Sequence, residues 1–272
     1  MIDFGPEPRA AKSTESFCGR LLMAAWDSID SPMHLRGDVP LSDLAHSRFL
    51  VNTRHFLAAL EENDGAPVTA TGNLTRALVG QIFERLDLDA HWRDSIRHIH
   101  KVVNEPDVWP LHLVRVVSQI ANLVARRNKR FRLTQKGARL LPEIQAGSLF
   151  RELFLAFFWK FDLAYDFRFR DVPGIQETMP VIFWRLDSLI RDWTPVRGLA
   201  PQVLLPRVHE QVRAAMISEY DTEEWILSGY VLKPLLDFGL IESKSPTRWG
   251  LGEKDHIRVT GLWQKFICFS SS

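Results

Sequence analysis

The densest set of chemically usable side chains in the sequence is basic. Arg126, Arg127, Lys129, Arg130 and Arg132 follow one another with no acid between them, and Lys136 and Arg139 come close behind. Such a cluster can neutralise phosphates and release their counterions. Contacts of this kind hold a nucleic-acid backbone without reading its sequence. The plainer alternative is a solvated hairpin whose cations keep an edge strand from pairing with another chain. These five residues are the candidate nucleic-acid contacts, with DNA as the expected partner and a protein partner as the alternative.

The other constellations offer less chemistry. His91, His98 and His100 share a helical stretch. His91 and His98 are two turns apart, about 10 Å along the axis, which is too far for a single zinc ion. Glu242-Ser243-Lys244 has the acid–x–lysine order of metal-dependent nucleases but no second placed carboxylate, so it reads as a charged strand edge. Asp87 and Asp89 read as a helix end. The sequence contains no nucleophile elbow, phosphate loop or dinucleotide fingerprint. No catalytic residue, metal or cofactor is expected, and the reading leans away from an enzyme.

The basic cluster needs a hairpin to present it. Leu123-Val124-Ala125-Arg126 and Arg130-Phe131-Arg132-Leu133 alternate around Arg127-Asn128-Lys129, which predicts two strands and a turn. Thr134 should cap the helix that follows. Gly137 should let that helix approach the hairpin closely. The phrase Leu133-Thr134-Gln135-Lys136-Gly137 has a counterpart in Val68-Thr69-Ala70-Thr71-Gly72, and a looser one in Val259-Thr260-Gly261-Leu262-Trp263. In the looser copy Trp263 stands where Gly is expected, so its hairpin-to-helix packing should differ. A fourth phrase, Thr194-Pro195-Val196-Arg197-Gly198, lacks strand signals and reads as connector.

Helical spacing accompanies each phrase. Leu50, Phe56, Leu57 and Leu60 form one stripe. Pro110 opens a second helix with Leu111, Val114, Val117 and Ile120 on one side, and that helix is expected to lie near a nucleic-acid groove. Asp221 and Glu224 have capping-box spacing before a third helix, where Pro234 predicts a kink. Between them, Leu149 to Tyr165 and Gln176 to Trp193 read as aromatic-rich helices. Phe150, Phe154, Phe157 and Phe158 leave little polar circumference, which predicts burial rather than a ligand pocket.

Bulk properties set the class. The chain has 272 residues, 46% hydrophobic and 25% charged, with a net charge of +1. This is the balance of an ordinary globular protein, and no whole-molecule field draws it to nucleic acid or membrane. Cys18 and Cys268 form no framework, which suits a reducing cytoplasm. The N-terminus lacks the layout of a signal peptide. The most apolar run, Leu153 to Trp159, is far short of the roughly 20 residues that span a bilayer.

The stretch from Leu111 to Leu141, with its helix, basic hairpin, Thr cap and second helix, resembles the latter half of a winged helix. Trp225 to Phe266 is similar but less regular. The chain as a whole resembles an uncharacterised bacterial family found alone or fused to plasmid-borne open-reading-frame domains. The residues that carry this are Thr69-Ala70-Thr71-Gly72-Asn73-Leu74, Phe131 to Gly137, Leu153 to Phe158 with Phe161 to Tyr165, and Trp184-Arg185-Leu186. The resemblance implies no activity and no catalytic residues.

The expected fold is mainly α with short β-hairpins, built as tandem winged-helix-like units around a central aromatic-rich helical layer. The expected divisions are an arm and helix over 1–40, a helix–hairpin–helix unit over 41–90, a winged-helix-like unit over 91–147, the aromatic layer and connector over 148–206, and a C-terminal winged-helix-like unit over 207–272.

Overall fold

The computed structural model describes residues 9–166, 171–218, 221–244 and 251–270. Residues 1–8 of the expected arm and 245–250 of the expected C-terminal unit lie outside them. The chain is mostly helical with small antiparallel sheets. Helix α1 (Arg9–Met23) is the helix expected within residues 1–40. Strand β1 (Met33–Leu35) and helix α2 (Leu41–Leu44) follow.

The next elements form one packed arrangement. They are α3 (Arg48–Glu62), β2 (Ala66–Pro67), α4 (Arg76–Phe83), α5 (Ala90–Ile99), α6 (Trp109–Ile120), β3 (Val124–Arg127), β4 (Arg130–Leu133) and α7 (Gln135–Leu140). Three strands pair in the order β2-β4-β3. Ala66 lies opposite Phe131 and Pro67 opposite Arg130. Pro67 has no N–H to donate, so it is tolerated only on a sheet edge, where it sits.

The earlier phrase is built differently. Val68-Thr69-Ala70-Thr71-Gly72 is a tight turn in which Val68 bridges antiparallel to Leu74 and Thr69 Oγ1 accepts the Asn73 N–H, and Thr75 rather than Thr69 stands just before helix α4.

Helix α8 (Ala146–Leu155) widens into a π-type turn over Ala156–Lys160, and a short turn over Leu163–Asp166 follows, so Leu149 to Tyr165 is not one helix. The second aromatic stretch is also divided, into α9 (Pro173–Glu177) and α10 (Met179–Leu189), each with Pro in its first turn.

The expected connector contains β5 (Thr194–Pro195) and α11 (Ala200–Val203). Then come α12 (Pro206–Ala215), α13 (Glu223–Leu227), α14 (Lys233–Asp237), β6 (Ile241–Ser243), β7 (His256–Val259), α15 (Gly261–Phe266) and β8 (Ile267–Phe269). Between α13 and α14 the backbone widens over Ser228–Leu232. Pro234 cannot donate to the carbonyl one turn back, so the kink expected there takes this form. The expected capping box is also replaced. Thr222 caps α13 by accepting the Trp225 N–H, while Asp221 accepts the N–H groups of Ile217 and Ser218.

The strand order β5-β7-β6 repeats that of β2-β4-β3, and the agreement reaches single hydrogen bonds. Val68 N–H donates to Lys129 O beside Pro67, and Val196 N–H donates to Asp255 O beside Pro195. Asn122 (φ 57°) and Gly239 (φ 72°) end their helices in the left-handed region. Thr134 binds the carbonyls of Asn122 and Leu123, and Thr260 those of Gly239 and Leu240. The discounted phrase at Thr194 is thus the edge strand of a second arrangement.

The two arrangements differ where the sequence does. Gly137 packs against the Leu123 carbonyl so closely that a Cβ would stand 2.1 Å from the oxygen. Trp263, three residues after Thr260 as Gly137 is after Thr134, is wholly buried and donates its indole N–H to Asp187 at 2.9 Å.

Aromatic rings join the arrangements. Phe150, Phe154 and Phe158 are fully buried among Phe183, Phe238 and Phe266. Phe49 of α3 stacks on Phe238 with centroids 4.7 Å apart. Strands β1 and β8 pair antiparallel, Met33 opposite Phe269. No described helix is long and apolar enough to cross a membrane.

Gly137→Ala should cost about 1–3 kcal/mol through the clash with backbone. Gly261→Ala, whose Cβ would meet nothing within 4 Å, should change stability by less than about 0.5 kcal/mol. Denaturant unfolding of the two variants checks the pair.

Candidate nucleic-acid interface

The basic residues of the β3–β4 hairpin separate into two groups. Asn128 (φ 49°) and Lys129 (φ 56°) form a two-residue turn with both residues left-handed, the twist that suits adjoining antiparallel strands. Arg126, Arg127 and Lys129 are exposed around this tip. Among the described residues, their side chains have no hydrogen-bond or ion-pair partner.

Arg130 and Arg132 are engaged in the fold. Arg130 Nη2 reaches the carbonyls of Gly65, Asp64 and Asn63 at 2.8, 3.2 and 3.4 Å. A guanidinium there meets the negative end of the α3 dipole as well as its open carbonyls. Arg132 pairs with Asp64 at 3.0 Å. Lys136 binds the Ala121 carbonyl and Glu152 at 2.9 and 2.6 Å. Arg139 is exposed.

Register sets the directions. Arg126 lies opposite Phe131, and Arg127 opposite Arg130. Directly opposed residues share a face, so Arg126 is on the Phe131 side, where its Nη1 lies 3.7 Å from the position a Gly72 Cβ would take. Beside this loop is an open cleft of about 720 Å³ lined by Thr69, Thr71, Asn73, Arg76, Asn104 and Asp107, among others.

The wall of that cleft holds a buried polar group that sequence reasoning missed. The Glu105 side chain is 0% exposed. Its Oε1 accepts Arg115 Nε at 2.6 Å and lies 2.8 Å from His112 Nδ1, and its Oε2 accepts the Leu74 N–H at 2.6 Å. Burial alone would push this carboxyl up. The bonds from His112, Leu74 and Arg115, with the Arg115 charge, outweigh burial and hold it below the usual carboxylate range.

Arg115 continues to Gln119 Oε1 at 2.5 Å, and its guanidinium lies over the Phe131 ring. His112 Nε2 reaches Tyr165 Oη at 3.0 Å. Pro106 reads in sequence as a helix break. The structure adds a reciprocal cap between Asn104 and Asp107, and nothing local announces that the acid between them is buried.

Helix α6, expected near a groove, has no exposed residue from Trp109 to Ile120. It packs on α3 and on the widened turn after α8. Its counterpart in the second arrangement, Glu223 to Asp237, is equally covered.

The remaining candidates are scattered. His91 and His98 are exposed, and His100 faces Asp107 at 3.5 Å. Glu242 bonds Arg258, while Lys244 and Arg258 both lie over the Trp193 ring. The described residues contain no group of three or more His, Cys, Asp or Glu side chains able to hold a metal.

Residues 45–146, which carry both the basic hairpin and Glu105, match the Y4jL N-terminal domain family. The chain is 31% identical over 115 residues to an uncharacterised protein, y4jL, of Sinorhizobium fredii (strain NBRC 101917 / NGR234). That match covers 42% of this chain and 51% of the relative, so the chain spans about half the length of the protein it matches. No solved structure matches it. The similarity is thus to an uncharacterised bacterial family.

Glu105→Gln would strip a buried guanidinium of its counter-charge and should cost about 3 kcal/mol. Because the folded-state value of Glu105 is depressed, its stabilisation is complete above the unfolded value near pH 4.3. It is lost as pH falls through the lower folded-state value. Acid unfolding curves should therefore converge for wild type and Glu105→Gln as pH drops, and parallel curves would contradict the assignment.

Proposed function

We propose that this chain is a non-enzymatic protein that holds a nucleic-acid backbone, DNA in the first instance, on the tip of its β3–β4 hairpin. The observation that carries the reading is a set of three exposed cations, Arg126, Arg127 and Lys129, unpartnered among the described residues, on a turn with no acid. Such groups contact phosphate without reading sequence. The covered face of α6 favours contact of that kind over a helix laid in a groove.

In this reading residues 45–146 form one winged-helix-like unit, with the hairpin as its wing. The repeated strand order over residues 179–266 makes a second. Fold and function remain separable. The reading takes the protein to be cytoplasmic, which the two free cysteines support.

A second reading, a protein-interaction scaffold, is favoured by the coverage of both central helices, which makes the two units packing modules. The Tyr165 and hairpin surfaces would then be free for a protein partner. Co-purification of a stoichiometric partner, with no nucleic-acid affinity, is the outcome that selects it.

Salt-dependent binding to a labelled DNA duplex decides between the two. Replacing Arg126, Arg127 and Lys129 together with Ser should lower the slope of log K against log salt by about 2 to 3, near 0.9 for each phosphate no longer neutralised. Arg130→Ser should lower the thermal midpoint and leave the slope of the folded protein close to wild type. Absence of binding to both duplex and single-stranded nucleic acid at about 50 mM salt, or an unchanged slope in the triple variant, removes the reading.

A further inference from the structure

We propose that the nucleic acid held by this hairpin is single-stranded, with its backbone on Arg126, Arg127 and Lys129 and a base stacked on Tyr165. The proposal rests on the phosphate-binding reading above and names its substrate class. Three observations converge on it.

First, the surface beside the hairpin is a polar trough rather than a helix. The cleft next to Arg126 is lined by the hydroxyls of Thr69 and Thr71, the amides of Asn73 and Asn104, and Arg76. Its volume of about 720 Å³ is in the range of small-ligand sites, so it has room for nucleotide units. These side chains offer hydrogen bonds to the Watson–Crick edges of bases, which a duplex keeps paired inside.

Second, the far wall of the cleft leads to an aromatic platform. Pro106 and Asp107 line the cleft, and Trp109 stands two residues further on. The rings of Trp109 and Tyr165 are near parallel, with centroids 6.1 Å apart and 24° between planes. The His112 ring lies 10° from parallel to Tyr165 at 6.0 Å. Tyr165 is 53% exposed, while the other crowded aromatic residues of that stretch, Phe150 to Phe161, are mostly buried. An exposed ring held in place by its neighbours is a surface on which unpaired bases stack.

Third, the electrostatics allow it. Two carboxylates border the cleft. Glu105 is neutralised by Arg115 and has no exposure. Asp107 is engaged by the Asn104 N–H and faces His100. Arg126, exposed and unpartnered among the described residues, then sets the sign of the charge on the side of the hairpin that faces the loop beside the trough.

The test measures affinity of the full chain for labelled oligo-dT, oligo-rU and a duplex of equal length. Both single strands, or one of them, should bind tighter than duplex. Tyr165→Ala should weaken single-strand binding about 5- to 150-fold with the salt slope unchanged. Tyr165→Phe loses the bond to His112 but keeps the ring, and should bind like wild type. An oligonucleotide with abasic sites should bind wild type as weakly as the intact strand binds Tyr165→Ala.

Duplex binding tighter than either strand would overturn the proposal while leaving the hairpin reading intact. So would a Tyr165→Phe loss equal to that of Tyr165→Ala, or indifference to abasic sites. If no nucleic acid binds at low salt, both readings fall together. The Tyr165→Phe and abasic arms decide the matter even if Tyr165→Ala proves unfolded.

Discussion

The ionised carboxylate of Glu105, buried without access to water, is the constraint around which the amino-terminal half is organised. A charge in that position is tolerable only if every lone pair meets a donor. The donors come from separate parts of the chain: the Leu74 amide after the Thr69–Asn73 loop, and His112 and Arg115 of α6. One group thereby fixes the loop beside Arg126, turns α6 inward, and through His112 sets the ring of Tyr165. Arg115 in turn stands over Phe131, the buried residue of the hairpin. The loop that walls the polar trough is held in place by satisfying that charge.

The second organising element is apolar. Helix α8 turns Phe150 and Phe154 toward Phe183, Phe238 and Phe266, and Phe157 of the widened turn after it meets Phe49 of the first arrangement. Phe49 from one side and Phe238 from the other meet in a stacked pair beside it. This explains why the helices that correspond between the arrangements, α6 and the stretch from α13 to α14, are covered. Each turns its outer face to intramolecular packing, and hairpins and loops remain to meet a partner.

Much of the architecture was legible in the sequence, and the reason is local chemistry. Asn128 in a two-residue turn, Thr134 before a helix, and Pro110 in a first turn each act within a few residues of themselves. The burial of Phe150, Phe154 and Phe158 followed from spacing alone. What stayed hidden was long-range. Ala66–Pro67 is too short to signal a strand and is one only because β4 lies beside it, and Thr194–Pro195 depends on β7 in the same way.

The candidate site shows the same limit. Five cations look equivalent along the chain, yet Arg130 caps α3 from across the sheet and Arg132 meets Asp64, so three are left at the tip. Glu105, in a stretch that reads as a simple helix break, could not be told from a surface acid because its donors lie up to thirty-one positions away.

The pairing of β1 with β8 bears on how this molecule comes into being. Met33 leaves the ribosome long before its strand partner Phe269, which emerges 236 positions later. Local helices and the β3–β4 hairpin can order during synthesis, but the segment around Met33 has to wait, its strand unmatched. Maturation therefore includes a late zip between early and late parts of the polypeptide, and the backbone becomes a closed ring only after translation has passed Phe269.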